Sequence, residues 1–343
     1  MTNLSSFILA SLTLFSLVSF ADPLPAKPPV PADNPMSLAK VELGKKLFFD
    51  PRMSKDGSIS CNSCHNVMAG GDDNMSTSVG VNAKHGGRSS PTVWNAAFMS
   101  VQFWDGRAKS LEEQAKGPLT NPVEMAMSNH AEVVTRIQSI PGYVEEFKKA
   151  FPKEIKTEKD ITIDHFAKAV ATYERTLVTP GSAYDLYMKG NKKSLSAAAV
   201  RGLGLVQSVG CTSCHMGSNF AGPTLPEGTP FFQKFPVFAG TEFEKKYELT
   251  KDGGKFEVTK NAADKGFWRV PTWRNVAVTA PYFHNGSVKT LDEAVKVMAK
   301  TQLNKDLKAD EISDIVVFLQ SLTGKFPEQK MPRLPATDGK TFF

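Results

Sequence analysis

Two five-residue stretches, CNSCH at 61–65 and CTSCH at 211–215, hold all four cysteines of the 343-residue chain. In each, a pair of thiols is followed at once by a histidine, the attachment signature for c-type haem. The thiols become thioethers on the porphyrin vinyl groups, and the adjacent imidazole is held beneath the ring as an iron ligand. At this spacing one turn and helix start can present all three groups to a single porphyrin face. The alternatives are a zinc ribbon, whose cysteine pairs lie much closer in sequence, and redox-active dithiols. Two matches that consume every cysteine outweigh both. Cys61, Cys64 and His65, and Cys211, Cys214 and His215, are therefore expected to hold two covalent haems c.

The chain around these motifs reads as exported and globular. Residues 1–21, MTNLSSFILASLTLFSLVSFA, resemble a signal peptide, with an apolar run from Phe7 to Phe20 and small residues at Ser19 and Ala21. Cleavage near Ala21 and a periplasmic location are expected. The lack of Lys or Arg before the apolar run keeps an uncleaved anchor as the alternative. A Pro-rich stretch, 22–35, follows and reads as an extended linker. The hydrophobic share is 41% and the formal charge +6, with no basic run. Nucleic-acid binding is thereby disfavoured, and a basic skin suits docking with a modestly acidic partner.

Each motif needs a helix to carry it, and the sequence supplies one. SLAKVELGKKLFFD (37–50) and the stretch ending GLGLVQ (202–207) each place apolar residues three and four positions after a glycine: Leu47 and Phe48 after Gly44, Leu205 and Val206 after Gly202. ADEISDIVVFLQSLTG (309–324) aligns Ile312, Ile315, Val316, Leu319 and Leu322 on one face, with acids in its first turn and Gly324 at its stop. Helical periodicity also runs through 129–178, broken at Pro141 and Pro152. Few stretches read as strands. Segment 91–118 matches 271–298 without a gap at a shift of 180, from PTVWNAA against PTWRNVA to FWDGRAKSLEEQAKGP against FHNGSVKTLDEAVKVM. The expected fold is mainly α, with two class I cytochrome c-type haem domains related by this internal repeat. They span 36–180 and 181–324, and a C-terminal tail covers 325–343.

The repeat differs where it matters. Its second copy ends in Met298, placed to be the sixth ligand of the second haem, where Met opposite His raises the potential. Filling core space is the alternative role for Met298. Met216 abuts His215 on the proximal side, and Met331 follows the closing helix, so both are weaker rivals. The first copy has Pro118 there, which cannot bind iron. One haem is thus built to carry electrons and the other to be reached by a small molecule, an asymmetry that indicates an enzyme.

These residues closely resemble the bacterial di-haem cytochrome c peroxidases, from LGKKLFFD through PTVWNAAF, QFWDGRAKSLEEQAKGP, NPVEM, CTSCH, VPTWRNV and APYFHNGSV to FLQSLTG. The resemblance implies reduction of hydrogen peroxide to water at the N-terminal haem. Electrons would enter from a small cytochrome c or cupredoxin at the C-terminal His/Met haem, and homodimers are usual. It implies proximal ligands at His65 and His215, a Trp between the haems at Trp104, and a proton-moving carboxylate at Glu124 with Gln114 as its hydrogen-bonding neighbour. A packing role for Trp104 and a surface role for Glu124 are the bland alternatives. Calcium would bind between the domains through the Thr279 and Pro281 carbonyls, with Ser89, a weaker ligand, at the family's Asn position.

Many members also block the first haem with a distal His until the second haem is reduced. Here that position is Val81, directly after Gly80, which lies eleven residues before Pro91. His85, flanked by Gly86 and Gly87, is the one nearby candidate gating ligand, and a solvated loop histidine is the preferred reading of it. His130 and His165 match no motif and read as structural. Two further functions compete. A related di-haem protein oxidises a partner's side chains during methylamine utilisation, but carries Tyr where this chain has Met298. A di-haem shuttle or sensor would ligate both irons, which Pro118 and Glu124 argue against.

Overall fold

The structure, a computed structural model, describes residues 21–339. The export signal expected at 1–21 therefore lies, apart from Ala21, outside the described residues. The helices run in order α1 (Leu38–Phe49), α2 (Cys61–Cys64), α3 (Leu111–Thr120), α4 (His130–Gln138), α5 (Pro141–Ala150) and α6 (Ile163–Glu174). They continue with α7 (Ala183–Met188), α8 (Ala197–Ser208), α9 (Glu242–Lys246), α10 (Phe256–Thr259), α11 (Leu291–Leu303) and α12 (Ala309–Gln320). Between α8 and α11, strand β1 (Phe232–Lys234) pairs antiparallel with β2 (Phe267–Arg269), Gln233 opposite Trp268. The chain is mainly helical, as its periodicity implies. Pro141 opens α5 as its first residue, where a missing N–H costs nothing.

Two helix pairs form the frame. α1 crosses α6, and α8 crosses α12, each at the glycine that the sequence pattern singles out. A Cβ on Gly44 would lie 1.9 Å from the Ala169 carbonyl oxygen, and one on Gly202 would lie 2.0 Å from that of Asp314. The next neighbours also correspond, Tyr173 Cβ at Gly44 and Phe318 Cβ at Gly202. Around the first crossing are packed Leu43, Leu47, Phe48, Phe147, Phe166 and Tyr173. The second has Leu203, Val206, Tyr184, Phe318 and Leu322.

The loops between the pairs show the same correspondence at a shift of 180. Asn95 and Asn275 both adopt the left-handed conformation (φ 63° and 62°), as do Phe103 and Phe283 (φ 66° and 70°). Isolated bridges join Gln102 to Ala108 and Tyr282 to Val288. α3 and α11 then start alike, on Ser110 and Thr290 hydroxyls that accept from the Glu113 and Glu293 amides.

The two terminal segments depart from expectation. Residues 22–35 are not a free linker, because two of their non-proline side chains are anchored. Leu24 is buried, and its amide donates to Asp185 Oδ1 at 3.0 Å. Buried Asn34 donates to Glu112 Oε1 (2.7 Å) and to the Lys168 carbonyl, while its own carbonyl accepts from Lys40 Nζ. Residues 325–339 are likewise strapped back across the N-terminal half. Phe326 meets the Trp94 ring edge-on at 5.0 Å, Tyr173 donates to Gln329 Oε1, and Arg52 Nη1 donates to the Pro335 carbonyl. Among the described residues no helix is long and apolar enough to cross a membrane.

Gly44→Ala must separate α1 from α6 and is expected to destabilise the haem-loaded protein by about 1–3 kcal/mol. Gly204, also helical but with open space at its Cβ, is the control. Gly204→Ala is expected to stabilise by about 0.5–1 kcal/mol. Thermal unfolding of the two variants side by side measures both.

Candidate active site

One cavity of about 770 Å³ takes in both cysteine motifs. At each motif a short helical turn sets the histidine at its end: α2 leads to His65, and a 3-10 turn at Cys211–Ser213 leads to Cys214 and His215. His65 Nδ1 lies 3.0 Å from the Pro91 carbonyl oxygen, and His215 Nδ1 lies 3.1 Å from that of Phe220. Pro271, 180 residues on from Pro91, lines the same cavity as His215. Donation from Nδ1 to a carbonyl fixes the tautomer and leaves the Nε2 lone pair free for a metal. Burial keeps both imidazoles neutral, pushing His65 down and His215 to about 4.

The surroundings fit covalent haem and disfavour redox dithiols. Reactive dithiols need a depressed thiol pKa. Here burial pushes Cys64 and Cys211 up to about 11, and Cys61 and Cys214 upward too. No cysteine is in a disulfide. Five residues of the cavity wall carry a buried polar atom with no hydrogen-bond partner: Trp94 Nε1, Glu174 Oε2, Trp268 Nε1, His284 Nε2 and Gln302 Oε1. Each such orphan costs about 1–3 kcal/mol. Such atoms around one cavity suit a bound group with polar substituents, such as a porphyrin with its carboxylates.

In the N-terminal part the wall is built by α3, α6 and the loop after α3. Gln114 and Pro118, one turn apart on α3, both line it, and so does Glu124. Glu124 is held by its own loop. Asn121 Nδ2 donates to Glu124 Oε1 at 2.9 Å, and the Glu124 carbonyl accepts from the Val81 amide. Burial raises the Glu124 carboxyl, against the pull of Arg107 and of the Asn121 bond. The expected partnership with Gln114 is thus corrected. Gln114 shares the wall, but Asn121 makes the hydrogen bond, since the turn 121–124 brings its amide directly onto the carboxylate.

Trp104 ties the two parts together. Its indole Nε1 donates to the Ser89 carbonyl at 2.8 Å, and its own carbonyl accepts from the Arg269 amide of β2. Behind it, Arg88 binds Asp252 through Nε and Nη2 and Asp105 through Nη1, and its guanidinium lies 5.0 Å over the Trp268 ring. In the C-terminal part, Met298 on α11 lines the cavity that also holds Cys211, Cys214 and His215. The His215 ring stacks on Trp273 at 4.4 Å. Deeper still, buried Arg274 pairs with buried Asp185 at 2.8 Å.

Ser89, Thr279 and Pro281 all reach the same wall. Ser89 is buried, and its amide donates to the His284 carbonyl. His85 does not reach it. That residue is exposed, paired in a bridge with Val79, with Nδ1 3.4 Å from Thr77 Oγ1, whereas Gly86 and Gly87 line the wall. His130 lies 3.0 Å from the Lys116 carbonyl, and His165 pairs with Glu154 and caps α6 through Thr162. Both are structural in this arrangement. The sequence reading missed Asn121, Trp268, His284 and Glu174. Of these two carried a signal: His284 stands opposite Trp104 in the repeat, and Glu174 is a charged residue four positions after Val170 on a buried helical stripe.

A family model described as di-haem cytochrome c peroxidase matches residues 38–193. The chain is 43% identical to the cytochrome c551 peroxidase of Nitrosomonas europaea over 97% of its own length and 95% of that protein. It is 46% identical to the cytochrome c551 peroxidase of Pseudomonas aeruginosa, covering 93% of this chain and 88% of the relative. Among solved structures, a MauG-like protein associated with microbial copper homeostasis superposes with a TM-score of 0.75 at 28% identity, covering 91% of this chain and 95% of that one.

Replacing Cys211 and Cys214 together by serine is expected to leave one covalent haem per chain. Pyridine haemochrome quantification on denatured protein, wild type against variant, gives the count.

Proposed function

The chain belongs to the di-haem cytochrome c peroxidase family, and from that premise we propose a division of labour between its two haems. It is an oxidoreductase acting on peroxide, a peroxidase with two haem c groups. On our reading, hydrogen peroxide is reduced in the N-terminal part of the cavity, and electrons enter at the C-terminal haem from a small periplasmic cytochrome c or cupredoxin. One observation carries this. Two helices that start alike, α3 and α11, present Pro118 and Met298 to the same cavity at corresponding positions. Proline leaves an approach to the first iron open, whereas Met298 completes a His/Met pair of the kind that carries electrons. The Met, rather than Tyr, also favours peroxide reduction over side-chain oxidation of a partner protein. The matched helix crossings and loops support two class I cytochrome c-type domains, 36–180 and 181–324, derived from one repeat.

Reducing one peroxide takes two electrons and two protons and gives two waters. Bound haem supplies the redox chemistry; the chain's side chains handle the protons. Glu124, half-buried with its pKa raised, takes the proton from the nearer peroxide oxygen and returns it to the farther one, so that water departs. Asn121 fixes the carboxylate that does this, and Gln114, on the helix that Asn121 ends, is its polar neighbour in the cavity. Trp104 bridges the two parts and offers an aromatic route for electrons between them. Calcium held by the Thr279 and Pro281 carbonyls with Ser89, a homodimer, and a periplasmic location after cleavage near Ala21 complete the proposal.

Glu124→Gln is expected to keep both haems and lower peroxide turnover with a reduced cytochrome on the order of 10²-fold or more. Near-normal turnover would move the proton transfer elsewhere. A second expectation concerns the gate. With Val81 buried and His85 outside the cavity, the oxidised first haem is open, so His85→Ala leaves the ferric spectrum unchanged. A low-spin oxidised form that this variant converts to high-spin would make His85 the gate.

A further inference from the structure

The two helix crossings give a second register, independent of the shift of 180. Gly44 faces Ala169 and Tyr173, and Gly202 faces Asp314 and Phe318, so the same shift of 145 (314 − 169 and 318 − 173) maps α6 onto α12. Val170 then corresponds to Ile315, and Glu174 to Leu319. All four line the cavity. Three are apolar, as the wall of a haem pocket should be. The fourth, Glu174, is a carboxylic acid 5% exposed, and its Oε2 is buried with no hydrogen-bond partner. A lone carboxyl here is costly. It stands on the side of the cavity assigned to peroxide, while the electron-transfer side has leucine.

We propose that Glu174 is a proton-holding residue of the N-terminal haem cavity, whose charge state is tied to the arrival of the electron at that haem. Protonated, it adds no charge beside the haem and lets the electron settle; ionised, it opposes it. When the electron arrives at an ionised Glu174, the carboxylate takes one proton from solvent water, and that proton is available to the two-proton reduction of peroxide. The inference rests on the assignment of the N-terminal haem as the peroxide site.

The groups around it support this. Burial is the dominant influence on Glu174 and raises its pKa to about 8, opposed by Arg175 and reinforced by Glu112 of α3. Arg175 is largely taken up elsewhere, at 2.6 Å from Glu112 Oε1 and 3.8 Å from Glu227. From α2, the Cys61 sulfur feels the Glu174 charge more than that of Glu124. On α6 itself the Tyr173 phenol is the neighbour, with Lys45 of α1 6.0 Å over its ring. On α4, His130 and Arg136 are engaged with the carbonyls of Lys116, Arg52 and Ser54. Among the described residues Glu174 Oε2 has no hydrogen-bond partner.

The test is the N-terminal haem's reduction potential, measured by spectroelectrochemistry against pH. In wild type it is expected to be flat below about pH 8 and to fall above it, as the ionised form appears. Glu174→Gln, close in shape but always neutral, and Glu174→Leu, which copies Leu319, should both stay flat to alkaline pH. The C-terminal potential should be unchanged in each. Glu124→Gln should keep the fall, since the other carboxyl remains. A fall that survives in either Glu174 variant, or that vanishes in Glu124→Gln, overturns the proposal. Should neither Glu174 variant load haem, a wild-type potential flat from about pH 6 to about pH 10 overturns it and an alkaline fall supports it. Failure of the underlying two-haem reading shows differently, as a missing haem in the pyridine assay of wild type.

Discussion

Everything in this molecule is hung on one buried hydroxyl. Thr179 Oγ1 accepts from Asn95 Nδ2 at 2.8 Å and from Asn275 Nδ2 at 2.9 Å, while the Thr179 amide donates to Asn95 Oδ1. All three residues are almost fully inaccessible. The two asparagines sit at corresponding places in the matched loops, each in a left-handed conformation that Asn tolerates better than most residues. Asn275 Oδ1 also accepts the Gly324 amide at the end of the closing segment. A buried network of this kind is stabilising only when every member is satisfied. Here it fixes where both loops leave, hence where α3 and α11 begin and which residues they turn to the cavity.

Given that junction, the division between the two parts needs few residues. The walls are shared in plan: a histidine whose Nδ1 meets a backbone carbonyl, a capped helix, and a glycine-tight crossing. Departures from the plan sit at the cavity. Pro118 stands against Met298, Trp104 against His284, and Glu174 against Leu319. On the proposed reading, each departure on the N-terminal side removes a candidate iron ligand or adds a group that can handle charge or protons. Each on the C-terminal side does the reverse, save His284, whose imidazole is neutral, pushed to about 4 by burial, and stacked on Trp268 at 4.1 Å. The chemistry is therefore polarised by side chains on nearly equivalent backbones.

Much of this was legible in the sequence because it depends on local rules. Cysteine spacing marks the candidate haem sites, glycine followed by apolar residues marks the crossings, and the gapless repeat sets Pro118 against Met298. What stayed hidden depends on long-range placement. Asn121, not Gln114, bonds Glu124, because a turn of the loop decides which amide is nearest. Residues 22–35 look like a spacer by composition, yet Leu24 and Asn34 find partners at Asp185 and Glu112, far along the chain. Composition reports what a segment can do unaided, and neither partner is visible from it.

The straps at the two ends carry a consequence for the cavity. The segment after α12 reaches Trp94, Tyr173 and Arg52, and the segment before α1 reaches Asp185, which in turn holds Arg274. Each end of the chain thus closes over the part built by the other end. Moving the two parts relative to one another would have to break these contacts together with the Thr179 junction, since no single flexible connector joins them. Local rearrangement is a different matter. The segment 81–90 is pinned at one end by buried Val81 and at the other by Arg88 and buried Ser89, while exposed Gly87 between them meets nothing within 4 Å of where its Cβ would stand. Loosely packed backbone of this kind opens at low cost while strapped helices do not. Any rearrangement beside the N-terminal cavity is therefore confined to such exposed backbone, and the helix pairs held at the Thr179 junction need not move with it.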